Sequence, residues 1–124
     1  MFWNRFPGLT EVWKHVVRDV LYPCMKYLWP MMSLERAYKP YFLRYIAGDR
    51  KRSRMGLHLD DEKIAVIVYL STDHGGGGTV FPRWNTTVQP RYQGDTVIYP
   101  GGITHAHGSK RCTSGKRYLL LAAF

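Results

Sequence analysis

Seven residues, Ile64-Ala65-Val66-Ile67-Val68-Tyr69-Leu70, run without a polar break. The run is rich in β-branched side chains and is bounded by polar residues. A strand with one face in water would alternate apolar and polar residues, and this one does not. It therefore reads as a strand covered on both faces. That single expectation commits the C-terminal two thirds of the chain to a layered β-structure.

Shorter strand candidates surround it. Tyr41-Phe42-Leu43-Arg44-Tyr45 precedes it, and Thr79-Val80-Phe81, Thr86-Thr87-Val88 and Asp95-Thr96-Val97-Ile98-Tyr99 follow, separated by Pro and Gly signals. Gly75 to Gly78 are expected to form a flexible connection, Pro100-Gly101-Gly102 a turn, and Lys116 to Phe124 a last apolar strand. Strands at this spacing suggest a sandwich or small barrel. Before residue 41 the pattern is helical. Thr10 is the expected N-cap with Glu11 in the first turn. Trp13, Val16, Val17, Val20 and Leu21 recur on one stripe, which is expected to pack on a sheet. Pro23 should kink or end this helix, and Pro30 should end any continuation. The expected class is mainly β (α+β) with one or two N-terminal helices. The 124 residues are expected to make one domain, with 1–40 as helical support and 41–124 as the β core.

Composition excludes some functions. No apolar run reaches the roughly 18–20 residues of a membrane-spanning helix. Cys24 and Cys112 stand far apart with no C-x-x-C, which argues against zinc ribbons and thioredoxin-type chemistry, and leaves one disulfide or two free thiols open. Lys and Arg number 18 against nine Asp and Glu, a net charge of +9. Part of this excess is concentrated in Arg50-Lys51-Arg52-Ser53-Arg54, within a polar loop from Ile46 to Met55. Such a run is either a solvated face or a strip for an acidic peptide or a nucleic-acid backbone. Trp29, Trp84 and Tyr92 could stack bases or serve as core and pocket walls.

The chemistry-bearing pattern is His58-Leu59-Asp60, with His105-Ala106-His107 much later. Residues two apart on a strand point to the same face, so His58 and Asp60 can aim at one point. A third ligand from a distant strand would complete two histidines and one carboxylate. That set binds Fe(II) on one face and leaves positions open for small molecules. Arg117 follows His107 by ten residues, in Gly115-Lys116-Arg117-Tyr118, and an arginine one strand beyond the distal ligand can clamp a carboxylate through two hydrogen bonds.

The combined pattern of H-x-D, an apolar strand, Gly76-Gly77-Gly78-Thr79-Val80-Phe81, Pro100-Gly101-Gly102-Ile103-Thr104-His105-Ala106-His107 and Arg117-Tyr118 resembles the Fe(II)/2-oxoglutarate-dependent dioxygenases. Within them it is most similar to the procollagen lysyl hydroxylase and prolyl 4-hydroxylase group. Phe81-Pro82 is closer to the prolyl side, and the segments holding His107 and Arg117 are closer to the lysyl side. The resemblance implies a double-stranded β-helix, a jelly-roll or cupin-like barrel. It implies His58, Asp60 and His107 as iron ligands, with His105 the rival for the third place. It implies that Arg117 binds the distal carboxylate of 2-oxoglutarate, that Tyr69 joins it there, and that Tyr45 lies near the keto-acid end. Fe(II) is the implied metal and 2-oxoglutarate and O2 the co-substrates, with ascorbate as an accessory reductant.

The implied reaction is hydroxylation of an unactivated C–H, on a Lys or Pro side chain of a collagen-like protein. The alternatives are a nucleic-acid-directed oxygenase and an inactive binding module of the same fold. A homodimer is a further implication. Met1 to Pro7 lack the basic-then-apolar layout of a secretory leader, so a cytoplasmic protein is the default expectation, with the secretory pathway as the alternative implied by the resemblance. Ile67 departs from the lysyl subgroup, which tends to a polar residue there. Asp61, Glu62, His15 and His74 are expected to face solvent, and Asn85-Thr86-Thr87 is a formal glycosylation sequon.

Overall fold

In the computed structural model, which describes residues 6–34 and 37–124, the uninterrupted apolar run forms strand β2 (Ile64–Tyr69). Ala65, Ile67 and Tyr69 on one face and Ile64 and Val66 on the other are all buried, as a strand covered on both sides requires. It pairs with β6 (Thr96–Pro100) and with β9 (Lys116–Ala123), and β9 pairs in turn with β1 (Tyr41–Ile46). The resulting antiparallel sheet has the order β1-β9-β2-β6. Its register sets Tyr45 opposite Arg117 and Ala65 opposite Tyr99.

Two smaller sheets complete the β-structure. Strand β4 (Thr79–Phe81) lies between β5 (Thr86–Val88) and β7 (Gly108–Ser109). Strand β3 (Gly75–Gly76) pairs with β8 (Cys112–Ser114). Phe81 of the three-stranded sheet joins Tyr45, Ile67, Tyr69, Tyr99 and Leu119 of the larger sheet in one apolar cluster. Two β layers thus face each other across a common core, as the mainly β expectation required.

The chain divides into two compact units, Met1–Glu35 and Arg36–Phe124. The first is helical. Helix α1 (Pro7–Val16) runs through a π turn at Val17–Leu21 into α2 (Tyr22–Leu28). Three expectations need correction here. The helix begins at Pro7, where the missing N–H costs nothing, so Thr10 lies inside it and is no cap. Pro23 does not end it: the π turn just before it replaces the ordinary i→i−4 ladder, and Tyr22 N–H bonds to Val17 O. That register change also redirects the apolar stripe. Val17, Leu21 and Met25 are buried, while Val20 is 58% exposed. The helix does end at Trp29, before Pro30. Among the described residues no helix is long and apolar enough to cross a membrane.

The glycine run is not a loose connection. Gly75 and Gly76 are in β3, and Gly76, Gly77 and Gly78 all have positive φ. A Cβ on Gly77 would press on Arg117 Cδ, so the run lets backbone lie directly against that side chain. Cys24 and Cys112 are both free thiols.

Candidate metal centre

His58 and His107 are brought together by the backbone itself. They form an isolated antiparallel bridge, in which His58 N–H bonds to His107 O at 2.8 Å and His107 N–H bonds to His58 O at 3.0 Å. Their rings consequently sit 4.3 Å apart, centroid to centroid. Asp60, two residues beyond His58, joins the same group. Its Oδ1 is 3.7 Å from His58 Nε2 and its Oδ2 is 3.6 Å from His107 Nε2. One ligand atom from each of the three residues lies within 4.8 Å of the others.

The donor set fits a metal ion by its tautomers as well as its spacing. His58 Nδ1 is 2.9 Å from Gly56 O, and His107 Nδ1 is 3.1 Å from His105 O. A backbone carbonyl can only accept, so each ring carries its proton on Nδ1 and turns a bare Nε2 toward Asp60. Burial holds the His107 imidazole below its ordinary pKa, against the opposing pull of the His105 carbonyl and Asp60. The neutral, ligating form is thereby favoured.

Sequence reasoning missed Tyr99. Its hydroxyl lies 3.0 Å from Asp60 Oδ2 and 3.0 Å from His107 Nε2. Both are acceptors in the tautomers just given, and a phenol has one proton to donate, so it can satisfy only one at a time. Burial, reinforced by the Asp60 carboxylate, pushes the Tyr99 pKa upward and keeps that proton in place. Tyr99 is the one buried residue of β6, and no alternation in that strand marks it beforehand.

His105, the rival third ligand, is placed elsewhere. The two histidines were expected to share a face if their segment were extended. Instead Ile103–His105 is a 3-10 turn, which rotates His105 away. Its ring packs on Trp84 at 5.5 Å and edge-on to Phe81 at 6.3 Å.

Arg117 is 1% exposed and belongs to a cavity lined also by Tyr45, His58, Ile67, Thr79 and His107. The guanidinium carbon stands 5.1 Å from the Tyr45 ring centre and 5.5 Å from that of Tyr69. Tyr69 OH bonds to Thr79 Oγ1 at 2.7 Å, and Arg117 Nη2 reaches the same oxygen at 3.5 Å. Among the described residues, Arg117 Nε and Nη1 are buried with no hydrogen-bond partner. Burial pulls the Arg117 pKa down, while the two tyrosines oppose that shift. A buried cation with idle donors is costly unless an anion meets it, and this is the observation a carboxylate-bearing ligand would fit. Burial raises the pKa values of Tyr45 and Tyr69, which leaves them as neutral donors.

Other positions singled out in the sequence are placed as follows. His74 was expected on the surface, but it is half-buried, Gly77 lies close to its ring, and both its ring nitrogens are buried without a partner among the described residues. Asp61 is exposed and Glu62 half-buried. The basic loop is an ordered turn. Asp49 accepts from the backbone of Lys51 and Arg52 and from the Arg52 side chain, and Ser53 is buried against Arg111.

No family model matches the chain. The chain is 26% identical over 118 residues to procollagen-lysine,2-oxoglutarate 5-dioxygenase 1 of Gallus gallus. It is 27% identical over 119 residues to procollagen-lysine,2-oxoglutarate 5-dioxygenase 2 of Mus musculus. Each match covers 93% of this chain but only 16% of the relative, so the chain spans about one sixth of the length of these proteins. Among solved structures, a viral collagen prolyl hydroxylase from Paramecium Bursaria Chlorella virus-1, solved as a 2OG complex, superposes with a TM-score of 0.71. The superposition covers 86% of this chain and 69% of that one at 18% identity, and shows a shared fold. In sequence and fold the chain is lysyl/prolyl-hydroxylase-like.

Proposed function

We propose that the chain is an Fe(II)- and 2-oxoglutarate-dependent dioxygenase that hydroxylates a Lys or Pro side chain of a polypeptide. One observation carries the reading: two bare Nε2 atoms and a carboxylate converge beside a cavity that ends in a buried guanidinium with idle donors. His58, Asp60 and His107 would hold the metal. The relatives' names supply the substrate class, a collagen-type polypeptide.

Bound Fe(II), with 2-oxoglutarate and O2, supplies the oxidising power that converts C–H to C–OH, with succinate and CO2 as co-products. The chain's own residues do the positioning. Arg117 receives the distal carboxylate of the co-substrate on its unpartnered Nε and Nη1. Tyr45 and Tyr69 flank the guanidinium, and Thr79 ties Tyr69 and Arg117 together, so the anion site is set before the co-substrate arrives. The Gly56 and His105 carbonyls hold the two imidazoles in the ligating tautomer. Ile67 and Leu119 line the cavity beside Arg117, and the Phe81 ring packs 5.6 Å from that of His107.

The test is to load the purified chain with Fe(II) and 2-oxoglutarate and offer collagen-like peptides. Succinate should form, and peptide mass should rise by one oxygen localised to Lys or Pro. His58→Ala and Asp60→Ala should abolish both. Unchanged succinate formation in either variant would sink the assignment.

A further inference from the structure

Two segments, 47–56 and 108–116, carry most of the surplus positive charge: seven of the 18 basic residues and one of the nine acids. The fold sets them side by side. Ile46 N–H bonds to Arg52 O and Ala47 N–H to Gly115 O, while Cys112 N–H bonds to Ser53 O and Ser109 N–H to Met55 O. Arg50, Lys51, Arg54, Lys110 and Lys116 are exposed, and none has a carboxylate partner among the described residues. The single acid, Asp49, is spent on Arg52 and on the backbone of its own turn. Arg111 donates to the hydroxyl of buried Ser53 and so ties the two segments together. The cations are therefore held on an ordered scaffold. Crowding like charges there opposes folding, and an anion laid across them relieves the repulsion.

This strip runs into the candidate metal centre. Arg54 stands four residues before His58, and Lys110 three residues after His107. Their Cα atoms are thus at most about 14 Å and about 11 Å from those of the two histidines. The intervening Met55 and Ser109 line the cavity that holds Arg117. An extended polypeptide advances about 3.3 Å per residue, so one that presents a side chain to the centre can lay a nearby stretch of its own chain on these cations.

We propose that the strip docks an acidic flank of the polypeptide substrate, so that a preferred sequence carries Asp or Glu about four to seven residues from the hydroxylated side chain. The inference rests on reading the neighbouring centre as an oxygenase site and adds to it a determinant outside the reacting residue. Nucleic acid is the other polyanion that a basic face can hold. The strip lacks what single strands use, since neither 47–56 nor 108–116 contains an aromatic residue on which a base could stack. Carboxylates spaced along a peptide need only separate cations, and two adjacent segments of Lys and Arg supply them.

The test uses the full chain and labelled collagen-like peptides with Lys and Pro at the centre. One form carries a run of Glu at that distance before the centre, a second carries it after, and a third has Gln in both places. Binding is read by fluorescence anisotropy at about 0.15 M salt. At least one Glu peptide should bind about tenfold more tightly than the Gln peptide, from several screened pairs acting together. The gap should shrink as salt is raised. Arg54→Glu and Lys110→Glu should each remove most of it. Arg83→Glu makes the same change of net charge on the exposed turn after β4 and should leave the gap intact. Equal binding of all three peptides overturns the proposal. So does an equal loss in Arg83→Glu, which would make net charge rather than the strip responsible. A thymidine oligomer of equal charge that displaces the labelled Glu peptide at lower concentration than unlabelled Glu peptide does overturns it in favour of nucleic acid. Succinate formation by the same preparation, loaded with Fe(II) and 2-oxoglutarate, reports separately on the oxygenase reading. Glu-selective binding without succinate supports the strip and sinks that reading, and succinate without Glu preference sinks the strip alone.

Discussion

At the scale of single residues, the centre depends on which atoms are left over after local hydrogen bonds are made. His58 and His107 spend Nδ1 on carbonyls and keep Nε2. His105 has its Nδ1 2.9 Å from Thr104 Oγ1 and its ring against Trp84 and Phe81. His107→Ala should therefore lose metal binding below detection, while His105→Ala should keep it, as measured with Co(II) by absorption titration. Equal loss in both would contradict the placement of His105. Among the described residues Arg117 Nε and Nη1 find no hydrogen-bond partner. Arg117→Lys retains charge but not the planar fork, and should weaken 2-oxoglutarate binding by about tenfold or more, read by calorimetry. Of these atoms, the residue types of His58, Asp60, His107 and Arg117 were legible from spacing. Tyr99 and Thr79 were not, because their contribution is a contact made across strands and leaves no motif.

Among the elements, the turn after β6 matters more than its length suggests. Gly101 N–H bonds to Lys63 O, and Gly102 N–H bonds to Asp60 O at 2.8 Å, so the turn grips the segment that carries Asp60. A Cβ on Gly101 would collide with the carbonyl oxygen of Glu62. Gly101→Ala should cost about 1–3 kcal/mol in chemical denaturation. It should also lower Co(II) affinity, because relief of the clash must move backbone beside Asp60. A variant with full stability and full affinity would contradict this coupling. The strand assignments were largely readable, since β2, β4, β5 and β9 fall where apolar runs and Pro or Gly breaks placed them. The helix was less so. A π turn shifts the periodicity by one residue, and no single side chain announces it.

Across the whole molecule, protonation links the centre to stability. Burial depresses the His107 pKa in the folded state below its ordinary value of 6.5. The unfolded chain takes up that proton first as the pH falls. The contribution is thus fully present above about pH 6.5 and is lost as the pH drops through the lower folded value. Asp49 and Asp95 act in the same direction at more acid pH, because hydrogen bonds with Arg52 and with the Tyr92 backbone, respectively, lower their pKa values. The metal-free chain should show a falling urea midpoint between pH 7.5 and 5.5, and the fall should shrink in His107→Gln. A flat profile would remove the link. By itself the sequence determined the buried strand and the mainly β class, because these rest on local periodicity, and it singled out His58, Asp60, His107 and Arg117 as candidates through a combined pattern. Only the tertiary structure decided that His107 rather than His105 joins His58 and Asp60, that the glycine run lies against Arg117, and that the Tyr99 hydroxyl meets both Asp60 and His107. Each of those depends on strand register or on one turn's geometry. A rotation of a single residue there moves a side chain from one cavity to the next, and linear spacing does not encode that rotation.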